Sequence, residues 1–218
     1  LVSSTHAFTH RSPFSHMIVA ELMAPKRKTP PSTTSRRPAR SGNPFKDRMG
    51  LGAYLEDPAS YPSSRVIYHN DDFVAIHDRY PKATIHTLLL PRSSKYNLLH
   101  PFEALDDPEF LVSVRAETQR LKALVAKELQ RRLGAHSQSD AQRQAVLDGD
   151  AEPDKSGDLP EGRDWAAEVK AGVHAVPSMR QLHVHVLSRD MYSEAVRQCK
   201  HSNSFHPAAM VDLGDFPP

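Results

Sequence analysis

The chain has 218 residues, 39% of them hydrophobic, with a formal net charge of +2 and one cysteine. That length allows one good-sized domain with tails. A lone Cys199 excludes an internal disulfide and fits a reducing compartment. No apolar run approaches the roughly 20 residues that cross a bilayer, and Met17-Ile18-Val19-Ala20-Glu21-Leu22 is too short and too charged for a signal peptide or anchor.

Charge is uneven along the chain. Between residues 24 and 48, Lys26, Arg27, Lys28, Arg36, Arg37, Arg40, Lys46 and Arg48 face only Asp47, in a setting of Pro, Ser and Thr. Such a tract cannot build a core, which predicts a disordered basic tail over residues 1–42. Pro25-Lys26-Arg27-Lys28 resembles a nuclear-import signal and would also bind nucleic acid without sequence preference. Leu1 is not a start codon residue, so residues 1–22 read as an upstream extension, with Met17 or Met23 as the start.

Asn43-Pro44 before Phe45-Lys46-Asp47-Arg48-Met49 predicts a helix start running to Leu55, with an interruption near Gly50 and Gly52. A hairpin follows, Val66–Tyr68 and Phe73–His77 around His69-Asn70-Asp71-Asp72, then a third strand over Ile85–Leu90 ended by Pro91. Phe110, Leu111, Val114, Leu121, Leu124, Val125 and Leu129 at helical spacing predict one long helix over 102–134, stopped at Gly134. Residues 135–163 are polar and acidic and read as a solvent-exposed, disordered insertion with a short helix near Ala141–Leu147. Trp165–Val169 is a fourth strand candidate, Gly172–Pro177 a loop, and Leu182–Leu187 the last strand. The order implies an α+β domain with a mainly antiparallel sheet.

The chemistry gathers in that last strand, Leu182-His183-Val184-His185-Val186-Leu187-Ser188. Strict alternation predicts a half-buried strand with His183 and His185 on one face, about 7 Å apart at Cα. Three readings compete for the pair. His-x-His can donate two ligands to zinc, but a zinc site needs more, and no Cys/His cluster has the spacing. Two buried structural histidines are possible chemistry-free occupants. Nucleophilic attack at phosphorus suits a neutral imidazole beside a second that stabilises phosphate charge.

The run Ser178-Met179-Arg180-Gln181-Leu182-His183-Val184-His185-Val186-Leu187-Ser188 resembles the signature of the histidine-triad (HIT) nucleotide hydrolases and transferases. Three further blocks resemble its aprataxin branch, of fungal type. They are Gly172-Val173-His174-Ala175-Val176-Pro177-Ser178-Met179, then Asp78-Arg79-Tyr80-Pro81-Lys82-Ala83 with His86 and Leu88-Leu89-Leu90-Pro91, and Lys200-His201-Ser202-Asn203-Ser204-Phe205. The resemblance covers roughly residues 43–210 and implies a HIT-like catalytic domain with a long helix and an N-terminal helix.

It also implies a DNA 5′-adenylate hydrolase that removes AMP from abortive ligation intermediates in single-strand break repair, in the nucleus, as a monomer on nicked or broken DNA, with no membrane partner. His183 would be the nucleophile, forming an adenylyl-histidine, and His185 the phosphate partner. Asp78 would hold the ribose hydroxyls. Lys82 and His86 would flank the reacting phosphates, and Ser178, Met179 and Ser188 would contact nucleotide and phosphate. His174 lies in the loop leading in. DNA would meet Arg92, Lys95, Arg189, Arg197, Lys200 and His201, with Phe45 or Met49 stacking on a terminal base pair.

Two departures stand out. Gln181 occupies the position where the triad pattern opens with histidine, and it cannot carry charge near neutral pH. No Cys-x-x-Cys follows the catalytic block, so residues 211–218 read as a truncated tail and zinc is expected only with a finger that this sequence lacks. A general HIT hydrolase of small adenylates, or a catalytically impaired DNA-end-binding protein, are the alternatives.

Overall fold

The chain divides into two units, residues 1–41 and 42–218. The computed structural model describes residues 48–193, 205 and 209–217, all in the second unit. Its frame is one six-stranded sheet with every neighbouring pair antiparallel, so the α+β expectation holds. The strands are β1 (Val66–His69), β2 (Phe73–His77), β3 (His86–Pro91), β4 (Val169–His174), β5 (Val184–Ser188) and β6 (Met210–Val211), in spatial order β1-β2-β3-β5-β4-β6.

The β1–β2 hairpin closes where Asn70 Oδ1 accepts from the backbone N–H groups of Asp72 and Phe73, an Asx turn that supplies the reversal. After β3 the helix expected over 102–134 is two helices, α1 (Pro101–Ala104) and α2 (Pro108–Leu133). The break has a local cause. Asp107 takes extended backbone and its carboxylate caps the Phe110 N–H, while Pro108 fits the first helical position. The N-terminal helix is also shorter than its pattern suggests. It spans only Gly52–Glu56, Arg48–Gly50 forming a turn ahead of it, and residues 43–47 lie outside the described set.

One face of the sheet packs on α2. Phe110, Leu111, Val114, Leu121, Val125 and Leu129 meet Ala75, Leu89, Val169, Val173, Val184 and Val186 there, whereas Leu124 points outward, 39% exposed. The opposite face is covered in two patches. Leu51 packs with Val66, Val74, Ile76, Leu88 and Leu90, and Phe205 and Met210 pack with Ala83 and Leu187. All five residues of β5 are therefore buried, not the half predicted from alternation.

Trp165–Val169 is not a strand: Asp164 Oδ1 accepts from Ala166 and Ala167 N–H and curls the chain into a turn. β4 begins at Val169 and runs into the stretch read as a loop as far as His174. Residues 138–147 form a helix, α3 (Gln138–Leu147), capped by Ser137 and starting three residues before the helix expected at Ala141–Leu147. Asp140 fastens it to the later chain, accepting from Arg163 N–H at 2.7 Å and Trp165 Nε1–H at 2.8 Å. No helix among the described residues is long and apolar enough to cross a membrane.

β6, two residues long, gave no sequence signal. It reaches β4 because Gly172 has no side chain: a Cβ there would lie 2.4 Å from the Val211 carbonyl oxygen. Gly172→Ala is expected to push β6 off the sheet and cost about 1–3 kcal/mol. A urea-unfolding midpoint equal to wild type would contradict that close approach.

Candidate active site

Cross-strand pairing puts His86, Leu88, Lys170, Gly172, His174 and His185 on the sheet face opposite α2. His183 lies one residue ahead of β5 on the same face. Its Nδ1 is 2.7 Å from the carbonyl oxygen of Gln181. A carbonyl can only accept, so Nδ1 carries the hydrogen and Nε2 keeps its lone pair. That leaves Nε2 as a nucleophile.

His185 receives the opposite tautomer through a relay. The Lys82 backbone N–H donates to His86 Nδ1 at 3.1 Å. A neutral His86 then carries its hydrogen on Nε2 and donates to His185 Nδ1 at 2.9 Å. His185 must hold its own hydrogen on Nε2, a buried atom with no hydrogen-bond partner among the described residues. The His183 and His185 rings are 4.9 Å apart at their centroids. One presents a lone pair and the other an N–H, a pairing suited to an electrophile that bears an oxygen.

Burial keeps these rings neutral. It pushes His86 down to about 4 against the upward pull of Asp78, whose Oδ2 is 3.4 Å from His86 Nδ1. It holds His185 well below the usual histidine range, helped by His183, His86, His174 and Lys82. His183 is lowered by burial too, partly offset by the Gln181 carbonyl. Burial also lowers the Lys82 ammonium, with Asp78 opposing; its Nζ donates to the Tyr80 carbonyl.

Two groups of side chains, His174, His183, His185 and Asp78, His86, His185, bring ligand atoms within 4.8 Å of one another. Both need a lone pair on His185. The relay occupies Nδ1 and protonates Nε2, so neither set fits a cation without inverting two tautomers.

The loop carrying Gln181 is tied on two sides. Arg48 donates from Nε to the Ser178 carbonyl at 3.0 Å and from an amino group to that of Pro177 at 3.3 Å. Arg180 N–H returns a bond to the Arg48 carbonyl. Gln181, 2% exposed, donates from Nε2 to the Met49 carbonyl at 3.0 Å. From the other side His100 Nε2 donates to the Ala175 carbonyl and Leu182 N–H to that of Asn97. Arg48, Asn97 and His100 carried no motif, because backbone carbonyls recruit them and sequence spacing does not encode such contacts.

Several expected residues fall elsewhere. Ser188 is fully buried on the α2 side of β5, its hydroxyl bonded to the N–H and carbonyl of Ile85, so it fastens the sheet and does not face the histidines. One more residue of alternation carried it across. Arg92 follows the far end of β3, about 20 Å along the chain from His86, and its guanidinium holds the Asn70 carbonyl. Lys95 is engaged with Tyr96 and Asp107. Arg189 bonds the Ala167 carbonyl. Asp78 stands beside His86 with Oδ1 accepting from Tyr80 N–H. Ser178 is exposed in the loop, and Met179 packs on the Leu51 patch. Phe45, Arg197, Lys200 and His201 lie outside the described residues. Both flanks of 194–204 are nonetheless held at the site: Ser193 Oγ donates to the Pro81 carbonyl, and Phe205 contacts three imidazoles.

The unfolded chain, with histidines near 6.5, binds protons that a folded His86 at about 4 refuses. Stability is full above about pH 6.5 and falls as pH drops toward 4. A melting temperature constant from about pH 7 to 4.5 would contradict this.

A family model described as the HIT domain matches residues 61–192. An aprataxin-like protein of Saccharomyces cerevisiae is 28% identical over 171 residues, covering 78% of this chain and 74% of that protein. Aprataxin of Ciona intestinalis is 32% identical over 170 residues, 77% of this chain but only 33% of that protein. A solved structure titled Hnt3 in complex with DNA and guanosine superposes with a TM-score of 0.60 at 27% identity, covering 78% of this chain and 75% of that one.

Proposed function

The chain belongs to the HIT-domain family, with aprataxin-type relatives, and from that premise we propose that it hydrolyses AMP from adenylated DNA 5′ ends. The observation that carries the reading is the paired tautomer: a lone pair on His183 Nε2 beside an N–H on His185 Nε2. His183 Nε2 attacks the phosphorus of the AMP moiety. A P–N bond forms, the bridging P–O bond breaks, and the DNA leaves with its 5′-phosphate. Water then attacks the same phosphorus, the P–N bond breaks, and AMP departs with His183 restored.

His185 donates its Nε2–H to a non-bridging or leaving oxygen as charge develops, without a proton having to move first. Lys82 adds positive charge along the same turn, and Asp78 is proposed to take the ribose hydroxyls. Ser178 and Met179 line the nucleotide side. No step requires a metal or cofactor.

Nucleic acid is proposed to meet Lys200, His201 and the basic residues of 24–48, with Phe45 or Met49 stacking at the end of the duplex. The solved relative in complex with DNA and guanosine supports a site that takes DNA together with a nucleoside. Single-strand break repair, a nuclear location and action as a monomer belong to the same proposal.

Purified protein incubated with 5′-adenylated nicked DNA is expected to release AMP and leave a ligatable end. Denaturing the reaction early traps an adduct on His183. His183→Ala should lose more than about 10³-fold in rate and the adduct with it, and His185→Ala should lose about 10²–10³-fold. Undiminished AMP release by His183→Ala would overturn the mechanism. Much faster turnover of a small adenylate would shift the substrate to free nucleotides. Tight DNA binding without turnover would make the protein an end-binding module.

A further inference from the structure

Phe205 ends the block Lys200-His201-Ser202-Asn203-Ser204-Phe205, and its surroundings give it a role. Its ring is 8% exposed and lies near-perpendicular to two imidazoles, His86 at 5.4 Å between centroids and 87°, and His185 at 5.3 Å and 89°. A third, His174, lies at 4.9 Å and 67°. Ala83, Leu187 and Met210 complete an apolar wall around it. Its carbonyl oxygen accepts from Lys170 Nζ at 3.4 Å, which anchors the residue to β4.

We propose that Phe205 is a positioning residue for the reaction: its ring seals this side of the histidine cluster from water and holds the Lys82–His86–His185 relay in one tautomer. The proposal rests on His185 acting as hydrogen donor in the function described above.

The physical argument is hydration. An imidazolium beside Phe205 would exchange water for hydrocarbon on that side, and burial disfavours the charged form. Protonation of His86 would put hydrogens on both nitrogens, so Nδ1 could no longer accept from Lys82 N–H. Protonation of His185 would remove the lone pair that accepts from His86. Either event breaks the relay at its centre.

Other groups face the same cluster. Lys82 and His183 disfavour a further positive charge on both His86 and His185, as does His174 on β4. Asp78 favours charge on His86. Lys170 Nζ lies 5.9 Å from the Phe205 ring centroid on the β4 side. None of these is altered by substituting Phe205, so the effect of its ring can be read separately.

The test is titration of the individual imidazoles by NMR in the full chain, alongside the pH profile of single-turnover AMP release. In Phe205→Ala, His86 and His185 are expected to titrate at least about one pH unit higher, toward the ordinary 6.5. The acid limb of the rate should move up with them, giving about threefold slower turnover near pH 4.5 and little change near pH 8. Phe205→Leu, which keeps hydrocarbon over the cluster, should restore most of both. Should the alanine variant not fold, Phe205→Gln replaces hydrocarbon with an amide at similar size, and the same upward shift is expected. Unmoved imidazole titrations, or a rate loss equal at all pH values, would overturn the proposal. Because the titrations need no substrate, they stand even where adenylated DNA proves to be the wrong one.

Discussion

The chemistry of this molecule depends on one backbone hydrogen bond, from Lys82 N–H to His86 Nδ1. Without it either nitrogen of His86 could carry the hydrogen, and His185 would be equally free to present a donor or a lone pair. With it, the hydrogens are assigned in sequence from the turn into the sheet and out to Nε2 of His185. Burial makes the assignment durable, because a protonated ring in this setting would lose its hydration as well as its hydrogen bond. The same turn contributes Asp78 and Lys82, so position, charge and tautomer come from one short piece of chain.

The tautomer of His183, the proposed nucleophile, is set independently, by the carbonyl of Gln181. That carbonyl sits in a loop bound by Arg48 and Met49 on one side and by Asn97 and His100 on the other. Gln181 departs from the histidine of the family pattern, yet the feature His183 uses is the backbone oxygen, which any residue supplies. Its side chain serves a different end, joining the loop to the segment before the first helix. The room for it comes from Gly52, where a Cβ would lie 3.0 Å from the amide nitrogen.

Strand alternation located His183 and His185 on one face, and the pairing of β5 with β3 and β4 bears that out. The same rule should have moved Ser188 to the other face, where it is found bonded to Ile85. Ser188 is three residues from His185, an odd spacing that puts it on the α2 face of β5. Arg92 lies at the far end of β3 from His86, where its guanidinium holds the Asn70 carbonyl. The split of the long helix at Asp107-Pro108 and the turn at Asp164 were legible in principle, since both rest on local capping by an aspartate.

By itself the sequence determined the hairpin, the third strand, the long helix and the strand with the histidines, because each is written in local periodicity and turn chemistry. It also carried the motif blocks that led to the family. Tertiary structure alone decided which nitrogen of His185 holds its hydrogen, since that depends on His86, brought beside it by the pairing of β3 with β5. It alone buried both faces of β5, by laying Phe205 and Met210 over one side and α2 over the other, in a sheet whose strand order no local pattern encodes. The reason is physical: periodicity reports what a segment can bury, while tautomer and burial depend on what long-range packing puts against it.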